Sequence, residues 1–261
     1  MTFRKLPEAL LASPVLVTLE TGSNGSGFLL ELDGVMFLIT AKHVLFNDSN
    51  KLRAKRSRLI CQTRIADDSE TKEFATEFND KNVFSSDKYD IAAIEIGRLQ
   101  DGKLHCTKGT RVEKENKLNT TGMYLKNTTH IEDVFIGNDV YVFGYPTSIG
   151  LTRLSQFDYT KPLVRKGIVS GIYLQKGNII IDCPVFNGNS GGPVIIGHLI
   201  GNGDIEYKII GIVSQQIPYK EKWINPVNKI TNIYYYNSGY SVVIGVNLIF
   251  EMLRENGFHI E

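Results

Sequence analysis

The apolar residues of this chain come in short runs rich in Val, Ile, Phe and Tyr, separated by Gly, Asn, Asp and Ser. Branched and aromatic side chains pack well on a pleated surface, and a long series of such runs bounded by turn residues predicts an all-β sandwich or barrel. Strands are expected at Pro14 to Leu19, Gly27 to Leu32, Val35 to Thr40, Ile91 to Ile96, Val140 to Phe143, Ile179 to Ile181, Val194 to Ile196, Ile209 to Val213 and Ser241 to Val246. The step Leu32-Asp33-Gly34-Val35 predicts a tight hairpin, because Asp-Gly tolerates the positive φ values of a two-residue loop. Helical spacing is clearest at the carboxyl end, where Leu248, Ile249, Met252 and Leu253 recur ahead of Gly257, a residue suited to close a helix.

A stretch rich in Lys, Asn and Thr between Gly97 and Glu132 interrupts this pattern and is expected to be a connection with little regular structure. It divides the chain into two β halves, residues 1–125 with the connection and residues 126–261 with the terminal helix. A length of 261 residues suits two small barrels that share an interface and act as one domain. The basic run Lys51 to Arg58 is expected to be a solvated strand face, since Asp67, Asp68, Glu70, Glu73, Glu77 and Asp80 follow closely and can oppose it across a hairpin.

With 29 Lys+Arg against 28 Asp+Glu the formal charge is +1, so no overall field draws the protein to nucleic acid or to an anionic membrane, and neither is expected as a partner. No run approaches the ~18 apolar residues of a membrane-spanning helix. The amino-terminal MTFRKLPEALLASPVLVTLE lacks the sustained apolar run of a secretory signal, which predicts mature, soluble sequence. Cys61, Cys106 and Cys183 are an odd, widely spaced set without C-x-x-C spacing. That argues against a disulfide framework or a metal site and predicts a reducing, cytoplasmic compartment.

Chemistry concentrates in three places. Phe186 to Val194 is a glycine-rich turn centred on Ser190, where the N–H groups around Gly188, Asn189 and Ser190 can converge on one point as an oxyanion hole. A serine hydroxyl is a poor nucleophile at neutral pH unless an adjacent base, itself oriented by a third group, takes its proton. His43 opens a turn directly after the apolar run ending in Thr40-Ala41, whereas His105, His130, His198 and His259 have no such setting. Asp90 precedes the run Ile91 to Ile96, too apolar to be anything but core, and a carboxylate there needs a hydrogen-bonding partner such as an imidazole.

The ordered set ITAKHV, DIAAIEI and GNSGGPV resembles the chymotrypsin-fold (trypsin-like) serine proteases, whose triad runs His, Asp, Ser along the chain. In motif form it is most similar to the bacterial high-temperature-requirement branch and to stand-alone intracellular trypsin-like peptidases, without a PDZ domain. Gly27-Phe28 resembles the family's "SGF" segment, and Ile210 to Ser214 its substrate-binding strand. The resemblance implies two six-stranded antiparallel β-barrels with a cleft between them. His43 would be general base and acid, Asp90 its orienting carboxylate, Ser190 the nucleophile, and Gly188 and Ser190 the oxyanion-hole donors, with no cofactor. Asn189 stands where secreted relatives carry an aspartate that pairs with a new amino terminus, so activation by that route is not expected.

The same resemblance assigns Pro184, Val213, Ser214, Gln215, Gln216 and Gly239 to substrate binding. Pro184 replaces the aspartate of relatives that cut after Arg or Lys, and Gln216 replaces a common glycine, which together predict a small or medium uncharged residue before the scissile bond. A shift of two residues would put Asp182 there instead. The expected function is hydrolysis of peptide bonds in a protein or peptide substrate, with a regulatory partner as a further expectation. Two alternatives stand beside it, a catalytically silent binding or scaffold protein on the same fold and an esterase, although α/β-hydrolase esterases carry G-x-S-x-G between strand and helix.

Overall fold

The structure is a computed structural model that describes residues 6–62, 71–101, 103–114, 122–147, 155–201 and 203–260. The first half opens with a short helix, α1 (Glu8–Ala12), followed by β1 (Pro14–Leu19), β2 (Asn24–Leu32), β3 (Val35–Thr40), the one-turn helix α2 (Lys42–Leu45), β4 (Arg56–Gln62) and β5 (Thr71–Glu77). It continues through β6 (Val83–Ser85), β7 (Ala92–Gln100), β8 (Lys103–Cys106), β9 (Thr110–Lys114) and β10 (Met123–Tyr124). Neighbours run β6-β7-β3-β2-β1-β4-β5-β9, with β10 beside β2 and β8 beside β7. The second half holds β11 (Asp139–Gly144), β12 (Leu163–Tyr173), β13 (Asn178–Asp182), β14 (Pro193–Leu199), β15 (Ile205–Asn225), β16 (Ile230–Gly245) and α3 (Val246–Glu255). Its strands close into the barrel β11-β12-β13-β16-β15-β14.

Two barrel-like β units followed by a carboxyl-terminal helix agree with the sequence reading, but the first unit departs from six strands. It is a ten-stranded sheet, because short segments add to its margins. Part of the Gly97 to Glu132 stretch supplies them: β7 runs on to Gln100, and β8, β9 and β10 follow. Edge strands cover one face only and tolerate Lys and Thr, so their polarity hid them. Arg56 and Arg58 of the basic run face Glu77 and Glu73 of β5 as ion pairs, while Asp67, Asp68 and Glu70 lie outside the described residues. Asp33 and Gly34 take φ of 48° and 75°, the conformation expected of the tight hairpin between β2 and β3.

The near-continuous apolar runs have a physical reason, since their strands are buried on both faces. In β3, Met36 and Leu38 face the interior of the first unit with Leu29, Phe74 and Ile94, whereas Val35, Phe37 and Ile39 face the other way. That second set meets Phe143, Ile195, Ile212 and Ile244 of the second unit in a central cluster between the halves. Helix α3 seals the same cluster with Leu248, Ile249, Phe250, Met252 and Leu253, and Gly257 follows it at φ 87°. Period-2 alternation thus serves two cores at once, and the shared cluster fixes how the ends of β3 and β7 sit against the turn before β14.

Candidate active site

Strand β3 delivers its last residue, Thr40, at the interface, and α2 turns the chain so that His43 faces the cleft. The small helix is pinned by Arg53, whose Nε donates to the carbonyls of His43 at 2.9 Å and Phe46 at 2.8 Å. Lys42 Nζ donates to the Ser86 carbonyl at 2.6 Å on the other side. Asp90, two residues before β7, meets His43 twice. The backbone N–H of His43 donates to Asp90 Oδ1 at 2.9 Å, and Nδ1 lies 2.8 Å from Oδ2. With Nδ1 donating to a carboxylate, the neutral ring keeps Nε2 free to accept a proton. A third bond comes from the second half, where Ser214 Oγ donates to Asp90 Oδ2 at 2.6 Å. Burial alone raises the pKa of such a carboxyl, but the bonds and charge of His43 and the Ser214 hydroxyl outweigh it and hold Asp90 below its ordinary value.

Across the cleft, the turn that carries Ser190 is built by its own polar groups. Asn189 N–H donates to the Phe186 carbonyl at 2.9 Å, the Asn189 side-chain oxygen accepts the Phe186 N–H at 3.0 Å, and the Asn189 carbonyl accepts Gly192 N–H at 2.9 Å. Gly188 and Gly191 adopt φ of 100° and 83°. A Cβ at Gly188 would overlap the Tyr145 carbonyl, and one at Gly191 the Ser26 carbonyl and Thr40 hydroxyl, so both positions require glycine. Among the described residues neither the Gly188 nor the Ser190 N–H is bonded to the protein, which leaves both able to meet a developing oxyanion. The hydroxyl of Ser190 donates to the Ser214 carbonyl at 3.4 Å.

His43, Asp90, Ser190, Ser214, Gln215 and Gln216 line one open cleft of about 800 Å³. Its walls also include Val185, Phe186 and Asn187 near Ser190, and Lys88, Tyr89, Gln175, Lys176, Asn178, Val242 and Ile244 elsewhere. Of the remaining residues assigned from sequence, Val213 is buried in the second barrel, and Pro184 and Gly239 are not among the residues that line the cleft. Asp182 is exposed on β13 opposite Tyr240 and does not line the cleft. Cys61, Cys106 and Cys183 are free thiols, and burial pushes Cys61 up to about 12.

Sequence reasoning missed Ser26. Its buried hydroxyl donates to the Gly188 carbonyl at 2.5 Å and accepts the Tyr145 N–H at 2.9 Å, while its N–H donates to the Ser190 carbonyl at 2.8 Å. Thr40 Oγ1 donates to the Ser26 carbonyl at 2.7 Å. The one available signal was its position immediately before Gly27-Phe28.

An imidazole hydrogen-bonded to a half-buried carboxylate, in one cleft with a glycine-bounded serine of a two-unit β structure, marks the chymotrypsin-like fold. The profile of the trypsin-like peptidase domain family matches residues 25–201, and the chain belongs to that family. Human heparin binding protein is similar in fold at a TM-score of 0.55 with 12% identity, over 99% of this chain and 97% of that one. Protease Anisep from Arthrobacter nicotinovorans matches at 0.51 with 16% identity, over 93% of each chain. The HtrA-type protease AlgW, as a variant with a tripeptide, matches at 0.51 with 16% identity over 97% of this chain, which spans 62% of its length. No curated protein matches the chain.

Two outcomes follow. Ser26→Ala leaves the Gly188 carbonyl and Tyr145 N–H without a buried partner, and is expected to cost about 1 to 3 kcal/mol in denaturant unfolding. Asp90 has a depressed pKa in the folded state, so its contribution to stability is present above the unfolded value of ~3.9 and lost as pH falls through the folded one. The stability advantage of the wild type over Asp90→Asn should therefore shrink as pH falls below the unfolded carboxyl value toward the lower folded one, read from unfolding midpoints across acidic pH.

Proposed function

We propose that the protein is a serine endopeptidase that hydrolyses peptide bonds through an acyl-enzyme intermediate and acts in the cytoplasm. The observation that carries this reading is the doubly bonded His43–Asp90 pair in one cleft with Ser190. Ser190 Oγ attacks the carbonyl carbon as His43 Nε2 takes its proton. The oxyanion forms against the N–H groups of Gly188 and Ser190, within the loop that Asn189 braces. Collapse breaks the C–N bond, and the amine leaves with the proton from His43. Water, deprotonated by the same nitrogen, then releases the acid and restores Ser190. No step calls for a cofactor. The three free thiols support a reducing compartment.

A fluorophosphonate is expected to label the protein once, at Ser190. Ser190→Ala and His43→Ala should lower kcat by about 10⁴ to 10⁶, and Asp90→Asn by roughly 10⁴ through the wrong tautomer, with the fold retained by circular dichroism. Hydrolysis at the wild-type rate by Ser190→Ala would remove Ser190 from the mechanism, and a wild type that neither labels nor hydrolyses would favour the binding or scaffold reading.

Substrate preference follows from the wall beside Ser190. Val185, Phe186, Asn187, Ser214, Gln215 and Gln216 carry no charge, and a cation buried among them has no counter-ion. Cleavage is therefore assigned after small or medium uncharged residues, such as Ala, Val, Ser or Leu. A peptide-library profile checks this. Dominant cutting after Arg or Lys that disappears in Asp182→Ala would transfer the specificity determinant to Asp182.

A further inference from the structure

Strand β15 is 21 residues long, and only its first part belongs to the barrel. From Ile205 to Ile212 it pairs with β14 on one side, and from Gly211 onward it pairs with β16 on the other. Beyond Val213, among the described residues, β16 is its only neighbour. The opposite edge, from Ser214 to Asn225, is therefore open, and it starts at the residue that contacts both Ser190 and Asp90. Past an irregularity at Gln216/Pro218, β15 and β16 leave the barrel as a two-stranded ribbon. Asn237 Nδ2 fixes its foot to the Val185 carbonyl at 2.6 Å.

On the other side of β15 from this edge, the surface is hollowed across β16 and β13. A second cleft of about 540 Å³ shares Lys176, Asn178, Gln215 and Val242 with the active-site cleft and extends it toward Ile217, Tyr240 and Tyr173. Cross-strand register gives the ribbon two unlike faces. Tyr219 opposite Tyr236 and Glu221 opposite Tyr234 share one face, with Trp223 farther out, and the rings of Tyr234 and Tyr236 stack at 6.4 Å. The other face carries Lys220 opposite Tyr235 and Lys222 opposite Ile233, and neither lysine has an acidic partner among the described residues. Trp223 is 60% exposed and Tyr219 58%, although aromatic rings of that size are ordinarily covered.

We propose that the ribbon is a docking rail for the substrate polypeptide itself, an inference that rests on the endopeptidase reading. The segment preceding the scissile bond adds as a strand along the open edge of β15, with apolar residues beside Tyr219 and Trp223 alternating with acidic residues beside Lys220 and Lys222. Strand addition supplies main-chain hydrogen bonds, and the alternate side chains supply selectivity. Antiparallel pairing, the more favourable kind, brings the carboxyl end of the added strand to Ser214 beside Ser190 and lays the upstream residues over the ribbon. Pro218 has no N–H to offer, so the ladder misses one donor at the foot and resumes beyond it. From Pro218 to Asn225 the rail is long enough for about eight further residues, at roughly 3.3 Å each.

The test compares a short fluorogenic peptide, chosen from the library profile, with the same peptide extended upstream by alternating Val and Glu or by alternating Val and Lys. The proteins are the wild type, the double variant Lys220→Glu/Lys222→Glu, and a form with residues 219–236 replaced by a two-residue turn, which keeps Asn237 at the foot. All three should label equally with fluorophosphonate and cleave the short peptide equally. The Val-Glu extension is expected to raise kcat/KM of the wild type by roughly tenfold, mainly through KM. Charge reversal should transfer that gain to the Val-Lys extension, and shortening should abolish both gains. No gain from either extension, or a gain that survives shortening, would overturn the proposal. So would a dimer that dissociates on shortening without any length dependence, which assigns the edge to a second copy of the chain. If the shortened form does not fold, the charge-reversal pair decides. Failure of the wild type to label and to cleave the short peptide would overturn the endopeptidase reading itself.

Discussion

The register between the two halves of this protein rests on buried hydrogen bonds gathered at one residue, Ser26. Ser26 lies on β2 in the first half, yet its side chain and backbone bond to Gly188, Tyr145 and Ser190 of the second. Those contacts are buried, where an unmade hydrogen bond is expensive, so they define the separation of the halves more sharply than apolar packing can. The central cluster around Phe37, Phe143 and Ile212 supplies the attraction. It has no direction of its own. Direction comes from Ser26, Thr40 and the glycines that let the backbones approach closely enough to bond.

The electrostatics of the site follow from this arrangement. Asp90 receives hydrogen bonds from both halves, two from His43 and one from Ser214. A carboxylate in such surroundings keeps its charge despite partial burial, and the charge in turn fixes which imidazole nitrogen holds the proton. Ser190 is placed by a different device, a turn whose shape depends on Asn189 and on two left-handed glycines. Asp90, His43 and Ser190 thus belong to separate elements, each held for its own local reason.

Much of this was legible in the sequence because burial on both faces gives strands a continuous apolar signature. Strands β1 and β3 match the expected limits at both ends. The runs around His43, Asp90 and Ser190 stood out because each sets a polar residue against an apolar strand end. Strands β5 and β9 were not legible as strands, since charged and hydroxyl side chains dominate them, and β4 and β8 were missed because their apolar residues are too few to make a run. The extent of the β15–β16 ribbon was hidden for another reason. Its aromatic residues are exposed on both faces, so no alternation marks where the barrel ends. Ser26 carried no signal of its own, because a hydroxyl in a strand looks alike whether it bonds across a domain interface or faces water.

The bond from Ser214 to Asp90 has one further consequence. It joins the orienting carboxylate of the first half to the strand of the second half on which the open edge begins. A small parting of the halves would therefore break the alignment of the imidazole well before either core came apart. The alignment of these side chains is conditional on assembly, and the cleft doubles as a gauge of whether the two halves are seated.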